Sequence, residues 1–386
     1  MPVPLPGPGE ALLTPPDFDE AWRTARGMAG IIAPAGGLTD FQRILLEALY
    51  LGMTGQRVDV SDAERVTPEQ FAEILRPRNL AFRTRGIQVM LLCALVLRPL
   101  PPDVADRVAA CARELEVDEG MVEVAQQFAA GSLGLAAVDF ERNGYTATWN
   151  PDDAAELHTS AELQSAWDEA VMDPALAARW AALEALPEGT LGRGVWQLYE
   201  ARGFEYPGRP GSAPPLLAQH DWVHVLADYG TTVEAELEVF AFIARANDDM
   251  RAFSLLAMVV SLFETGYLRT GAGLFESNPG HLSTGTNMAT RVADAMRRGA
   301  LCHDNVTNHD SIDYLRVDWF ELAALPIERA RARFSVPAKS ADAVAAGSVG
   351  PFEAGGISPF QLRSGRDAAE RAGRTYDSFG ASVAQG

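Results

Sequence analysis

Pro214-Pro-Leu-Leu-Ala-Gln-His220-Asp221-Trp-Val-His224-Val-Leu-Ala-Asp-Tyr229-Gly-Thr-Thr232-Val-Glu-Ala-Glu236 is the stretch on which the reading of this chain turns. A helix beginning after the proline pair puts His220 and His224 at i and i+4. Their imidazoles then leave from one face and can grip one ion. Asp221 points about 100° away on an ideal helix. It becomes a ligand if the helix start is distorted, or otherwise an orienter of a histidine. Glu236 follows His224 by twelve residues, about 18 Å along one continuous helix. Tyr229-Gly-Thr-Thr232 breaks that helix, and Thr231 with Glu234 makes a capping-box pattern for a new one. An antiparallel pair would return Glu236 to the level of His224, so that two imidazoles and one or two carboxylates converge. Asp221 and Glu236 are then the candidate catalytic carboxylates. The donor set suits zinc first, with iron or manganese as alternatives, and nothing in it is soft enough to select copper(I). A lone i, i+4 histidine pair is often structural; the capped turn and the returning carboxylate favour a site.

Outward from this motif the chain reads as helical throughout. Thr39 or Asp40 can cap a helix whose face carries Phe41, Ile44, Leu45, Ala48 and Leu49. Thr67-Pro-Glu-Gln70 combines an N-cap threonine, proline at the first helical position and glutamine at N3. Ile87–Leu97 is apolar all round and predicts a buried central helix. Asp103–Glu116 and Asp118–Ala130 supply two more amphipathic helices, and Tyr145–Trp149 suggests a short extended segment. The expected architecture is all-α. A Pro- and Gly-rich flexible segment covers residues 1–36, with one short helix near Asp19–Met28. A small bundle follows over 37–135, a metal-binding helical domain over 160–336, and a flexible Ala/Gly/Ser-rich tail over 337–386.

Composition excludes several functions. A formal charge of −20 over 386 residues makes nucleic acid an improbable partner. Lys339 is the only lysine and lies in the expected tail, which argues against Schiff-base chemistry and a P-loop lysine. Cys93, Cys111 and Cys302 are widely spaced, so neither a disulfide framework nor a thiolate zinc site is expected. The N-terminus lacks signal-peptide regions and no apolar run is long enough to span a bilayer, so the reading is cytoplasmic, with peripheral membrane contact left open. A homodimer through an apolar helix face is a further expectation.

Two resemblances bear on this. Residues 38–131 resemble the tellurite-resistance TerB-like bundles in helix pattern and size. His220-Asp221-x-x-His224 followed by Glu236 resembles the signature of the coenzyme Q (ubiquinone) biosynthesis protein 4 family. The likeness extends upstream to Leu186-Pro-Glu-Gly-Thr-Leu-Gly-Arg193 and the helix through Tyr199. Downstream it takes in Ala293–Ala300, Asp318-Trp-Phe-Glu321 and Leu325-Pro-Ile-Glu-Arg-Ala-Arg331, so that it covers about residues 165–336. It implies His220, Asp221, His224 and Glu236 as metal ligands and an apolar tunnel for a polyprenyl chain. The implied chemistry replaces the C1 carboxylate of a prenylated ring by hydroxyl, and family members also organise a biosynthetic complex. The partner expected on this basis is a prenylated aromatic or isoprenoid lipid. Leu237, Val239, Phe240, Phe242 and Ile243, then Leu255, Leu256, Met258, Val259, Val260 and Phe263, suit either such a tunnel or plain core packing. Arg193 is a candidate clamp for a carboxylate or phosphate.

The segment Phe275–Ile312 departs from the family pattern. It carries His281 in a turn and a second cluster, His303-Asp304 with His309-Asp310, read either as a loop over the metal site or as a solvated loop. Two rival enzyme classes fit less well. An HD-type phosphohydrolase would join His158, His220-Asp221 and Asp304 or Asp310 but leave Glu236 idle. A thermolysin-like peptidase would need glutamate where Asp221 stands. The non-enzyme rival is a lipid-binding scaffold with a structural metal.

Overall fold

The computed structural model describes residues 16–95, 97, 101–117, 172–246 except 211, 214 and 216, 256, and 287–384. The described residues form fourteen α-helices, one short 3₁₀ helix and no strand, as the all-α reading expects. The helix expected over Asp118–Ala130, the segment Tyr145–Trp149, His158, His281 and the apolar positions Leu255, Met258–Val260 and Phe263 lie outside the described residues.

The first five helices are α1 Phe18–Ile32, α2 Asp40–Thr54, α3 Pro68–Leu75, α4 Leu80–Leu95 and α5 Pro102–Glu114. Local sequence chemistry starts three of them. Thr39 caps α2 and Thr67 caps α3, each in a full capping box with Gln42 or Gln70. Asp17 caps α1 by accepting from the Glu20 amide at 2.8 Å. α4 is buried as expected, with Ile87, Val89, Met90, Leu92 and Cys93 in the core, but the helix that packs on all the others of this half is α1. The lead-in corrects one expectation. α1 is longer than the short helix read from sequence, and Ala21, Ala25, Ile31 and Ile32 are wholly buried against α2–α5 rather than part of a flexible segment. Small residues at helical spacing, read as low complexity, allow that close packing.

The second half holds α6 Pro174–Ala181, a 3₁₀ turn at Ala182–Ala185, α7 Leu191–Arg202, α8 Gln219–Ala227, α9 Val233–Ala246 and α10 Met288–Ala300. α11 Trp319–Leu322, α12 Ile327–Arg333, α13 Ala341–Ala345 and α14 Pro359–Arg371 complete it. α10 packs on both α9 and α2, and the buried apolar side chains of both halves join in one continuous core. Leu237, Val239, Phe240, Phe242, Ile243 and Leu256 all belong to that core. No helix among the described residues is long and apolar enough to cross a membrane.

The expected flexible tail is the second correction. Beyond Pro337 the chain forms α13 and α14, and α14 lies along α7. Buried Arg202 of α7 donates from Nη2 to the carbonyls of Pro351 and Gly356 at 2.9 and 2.8 Å. Buried Gln361 donates to the Thr231 carbonyl at 2.8 Å and accepts from the Thr231 hydroxyl at 2.8 Å. A Cβ on Gly230 would stand 2.8 Å from Gly356 Cα, and one on Gly365 would strike the Ala201 carbonyl. The glycines that suggest flexibility are here the means by which backbones touch.

Candidate metal centre

α8 begins on tight i→i−3 hydrogen bonds. The His220 amide donates to the Leu217 carbonyl at 3.1 Å, and the Asp221 amide to the Ala218 carbonyl at 3.2 Å. The helix ends at Asp228, which takes the left-handed conformation at φ 66°, and the chain reverses into α9. This is the antiparallel pair expected from sequence. His220, Asp221 and His224 are fully buried on α8, and Glu236 on the first turn of α9 is 1% exposed. His220 Nε2 lies 3.5 Å from Glu236 Oε2 and 3.6 Å from Asp221 Oδ1. His224 Nε2 lies 3.4 Å from Glu236 Oε1. The ligand atoms of His220, Asp221 and His224 all lie within 4.8 Å of one another. The tertiary fold thus brings together the four residues read as the site.

Backbone carbonyls set the tautomers. His220 Nδ1 sits 2.5 Å from the Leu217 carbonyl and His224 Nδ1 3.3 Å from the Tyr229 carbonyl. A carbonyl only accepts, so each Nδ1 carries the hydrogen and each neutral ring turns its Nε2 lone pair inward. The Tyr199 hydroxyl donates to Asp221 Oδ2 at 2.6 Å, which orients that carboxylate. Phe240 packs 5.0 Å from the His220 ring, and Trp180, Trp222 and Trp319 form an aromatic wall behind α8. Burial opposes the charge of Glu236. Only positive charge beside it, on the His224 and His220 rings or on a bound cation, outweighs that burial and holds the carboxyl below the usual range.

Lone pairs therefore face lone pairs. His224 Nε2 and Glu236 Oε2 are buried and make no hydrogen bond. Two protons on the imidazoles would relieve this, but both rings would then be buried cations with centroids only 5.2 Å apart. One divalent cation relieves it without that repulsion. Ligand atoms about 2.0–2.1 Å from a tetrahedral ion stand about 3.3–3.5 Å apart, close to the three spacings that link His220 to Asp221 and both histidines to Glu236. By donor chemistry the cluster suits a divalent metal, and by geometry His220, Asp221 and His224 form a group that could hold one, with Glu236 beside both histidines.

The other candidate site residues lie elsewhere. Arg193 donates to Glu188 Oε1 at 3.0 Å and to the Glu184 carbonyl, and its guanidinium lies 4.1 Å over Trp196. It sits six residues before Tyr199 on α7, about 9 Å along the helix. Its guanidinium is thus engaged by its own end of α7. The His303–Asp310 segment closes on itself. His303 Nδ1 pairs with Asp310 at 2.6 Å, the Asp304 amide donates to the His309 carbonyl at 2.9 Å, and Asp304 pairs with Arg333 at 3.4 Å. None of these partners belongs to the four-residue cluster, so the loop is a turn docked on α12. Sequence reasoning missed Tyr199 as the orienter of Asp221, because nothing local marks a tyrosine that meets its partner 22 residues later.

No family pattern matches the chain, and no curated protein matches it. One solved structure, of a candidate ubiquinone biosynthesis protein from Nostoc punctiforme, aligns at 15% identity over 67% of this chain and 98% of that one. Its TM-score is 0.29.

Proposed function

We propose that this chain is a divalent-metal protein of ubiquinone-type biosynthesis that acts on the head group of a prenylated aromatic acid. The observation that supports it best is the clustering of buried ligand atoms: His220 Nε2 lies 3.6 Å from an Asp221 oxygen and 3.5 Å from a Glu236 oxygen, and His224 Nε2 lies 3.4 Å from the other Glu236 oxygen. The substrate class rests on the family resemblance of residues 165–336. His220, His224 and Glu236 hold the ion and Asp221 completes the set, with Tyr199 fixing its carboxylate. A bound ion would polarise a substrate carboxylate or phenolate as a Lewis acid, or activate dioxygen if it is iron. Exchange of a ring carboxylate for hydroxyl is an oxidation, so the activity requires an oxidant such as dioxygen, and zinc alone does not carry electrons.

A second reading has its own observation. All four side chains are at most 1% exposed, and four protein ligands make a closed site, the mark of a structural metal. A lipid-binding scaffold with such a metal is the alternative.

Elemental analysis of protein purified without chelator, beside the His224→Ala variant, tests the metal. About one ion per chain, lost in the variant, is the expected result. No metal in either protein sinks both readings. With metal present, incubation with a prenylated hydroxybenzoate in air separates them, since loss of carbon dioxide with gain of hydroxyl requires the catalytic one.

A further inference from the structure

A cavity of about 540 Å³ opens where the end of α8 meets α10, α12 and the C-terminal segment. Asp228, Arg298, Arg331, Lys339, Ser348 and Glu353 are in its wall. Three of these carry buried donors with no acceptor. Lys339, the one lysine of the chain, has a side chain 6% exposed; Nζ makes no hydrogen bond and has Asp228 at 3.6 Å as its ion-pair neighbour. Arg298 is 4% exposed and gives Nη2 to the Ala227 carbonyl and Nε to the Pro337 carbonyl. Its Nη1 is left without a partner. Ser348 is 3% exposed and its hydroxyl makes no hydrogen bond.

The carboxylates of the wall are already answered. Glu328 accepts from Arg331 Nη1 at 2.7 Å and Glu353 from the Gly350 amide at 2.8 Å. Asp228 lies at the rim, its side chain 42% exposed, between Arg331 and Lys339. What remains is a surplus of donors from three separate elements. A buried donor left without an acceptor is costly, so three around one cavity point to a missing acceptor. Ammonium, guanidinium and hydroxyl lining one cavity from separate elements suit an oxyanion with several acceptor oxygens, such as phosphate. The volume exceeds what a single phosphate fills and lies in the range of small-molecule sites.

We propose that this cavity binds a phosphorylated small molecule, its phosphate received by Lys339, Arg298 and Ser348. The site lies beside the metal centre without sharing a side chain with it. Arg298 and Lys339 both lie over the ring of Tyr229, whose carbonyl faces His224 Nδ1.

Calorimetric titration of the full chain with inorganic phosphate, at constant ionic strength in chloride, tests the proposal. Saturable binding is expected in the wild type. It should weaken about tenfold or more in Lys339→Met, fall in Ser348→Ala, and stay unchanged in Arg316→Gln, an exposed arginine elsewhere. It should also persist in chelator-treated protein. Absence of saturable binding in the wild type overturns the proposal. So does binding unaffected by both Lys339→Met and Ser348→Ala, or binding abolished by chelator while Lys339→Met leaves it intact, which would put the anion on the metal. Recruitment to phosphatidic acid vesicles without any binding of inorganic phosphate would overturn the small-molecule assignment.

Discussion

His220-Asp221-x-x-His224 and His303-Asp304 with His309-Asp310 draw on the same residue types, yet the fold treats them in opposite ways. In the second, every interaction is answered nearby: His303 by Asp310, and Asp304 by Arg333 and by the amides of Val306 and Thr307. The turn stays at the surface, with the His303 side chain 28% exposed and water at hand. In the first, four side chains lose water altogether, and acceptors are left facing acceptors. Histidine and carboxylate content therefore does not mark a metal site; buried acceptors in surplus over donors do.

The largest effect that can break this comparison is expected from His224→Ala. Metal content should fall from about one ion per chain to none. A chelator should destabilise the wild type by about 4 kcal/mol if the ion is present at about a thousand times its dissociation constant, and leave the variant's thermal midpoint unmoved. Equal chelator effects in the two proteins would refute the assignment. Tyr199→Phe keeps the ring in its stack against Tyr206 and removes only the hydroxyl held by Asp221. Metal affinity, followed by competition with a chromophoric chelator, should drop about 10–100-fold with the fold intact. An unchanged affinity would show that Asp221 needs no orienting.

Smaller effects are expected from the turn. Contacts with Val306, Thr307 and Arg333 hold Asp304 below its ordinary value despite its burial. Its folded pKa lies below the unfolded one, near 3.9, so its stabilisation is complete above that pH and is lost as the pH falls through the folded value. Asp304→Asn should cost about 1 kcal/mol at neutral pH, shrink that part of the acid sensitivity in denaturant titrations, and leave metal content alone. Metal loss in this variant would reunite the two clusters. His303→Gln should change stability by at most about 0.5 kcal/mol and metal content not at all. A larger change in either would show that the turn reaches the site after all.

The α8–α9 hairpin and the capped starts of α2 and α3 could be read in the chain because each depends on residues within a turn or two of one another. Thr39 with Gln42 and Thr67 with Gln70 are local hydrogen-bond exchanges. The return of Glu236 to His224 needs only a helix, a reversal at Asp228–Thr232 and a count of residues. The C-terminal segment was unreadable for the opposite reason. Its place depends on Arg202 meeting carbonyls 149 and 154 residues away and on Gln361 meeting Thr231 across 130. An Ala/Gly/Ser-rich stretch looks the same whether it is free or pressed against another backbone.

Short-range periodicity and capping suffice for an all-helical chain and for the hairpin carrying His220, Asp221, His224 and Glu236. Which polar groups lose water depends on how the helices pack. That packing buried the four acceptors together, left the His303–Asp310 turn solvated, drew Tyr199 onto Asp221, and carried the lone lysine out of an apparent tail into a cavity wall. Solvation belongs to the packed molecule, and the cost of an unanswered buried group arises only after the chain has closed around it.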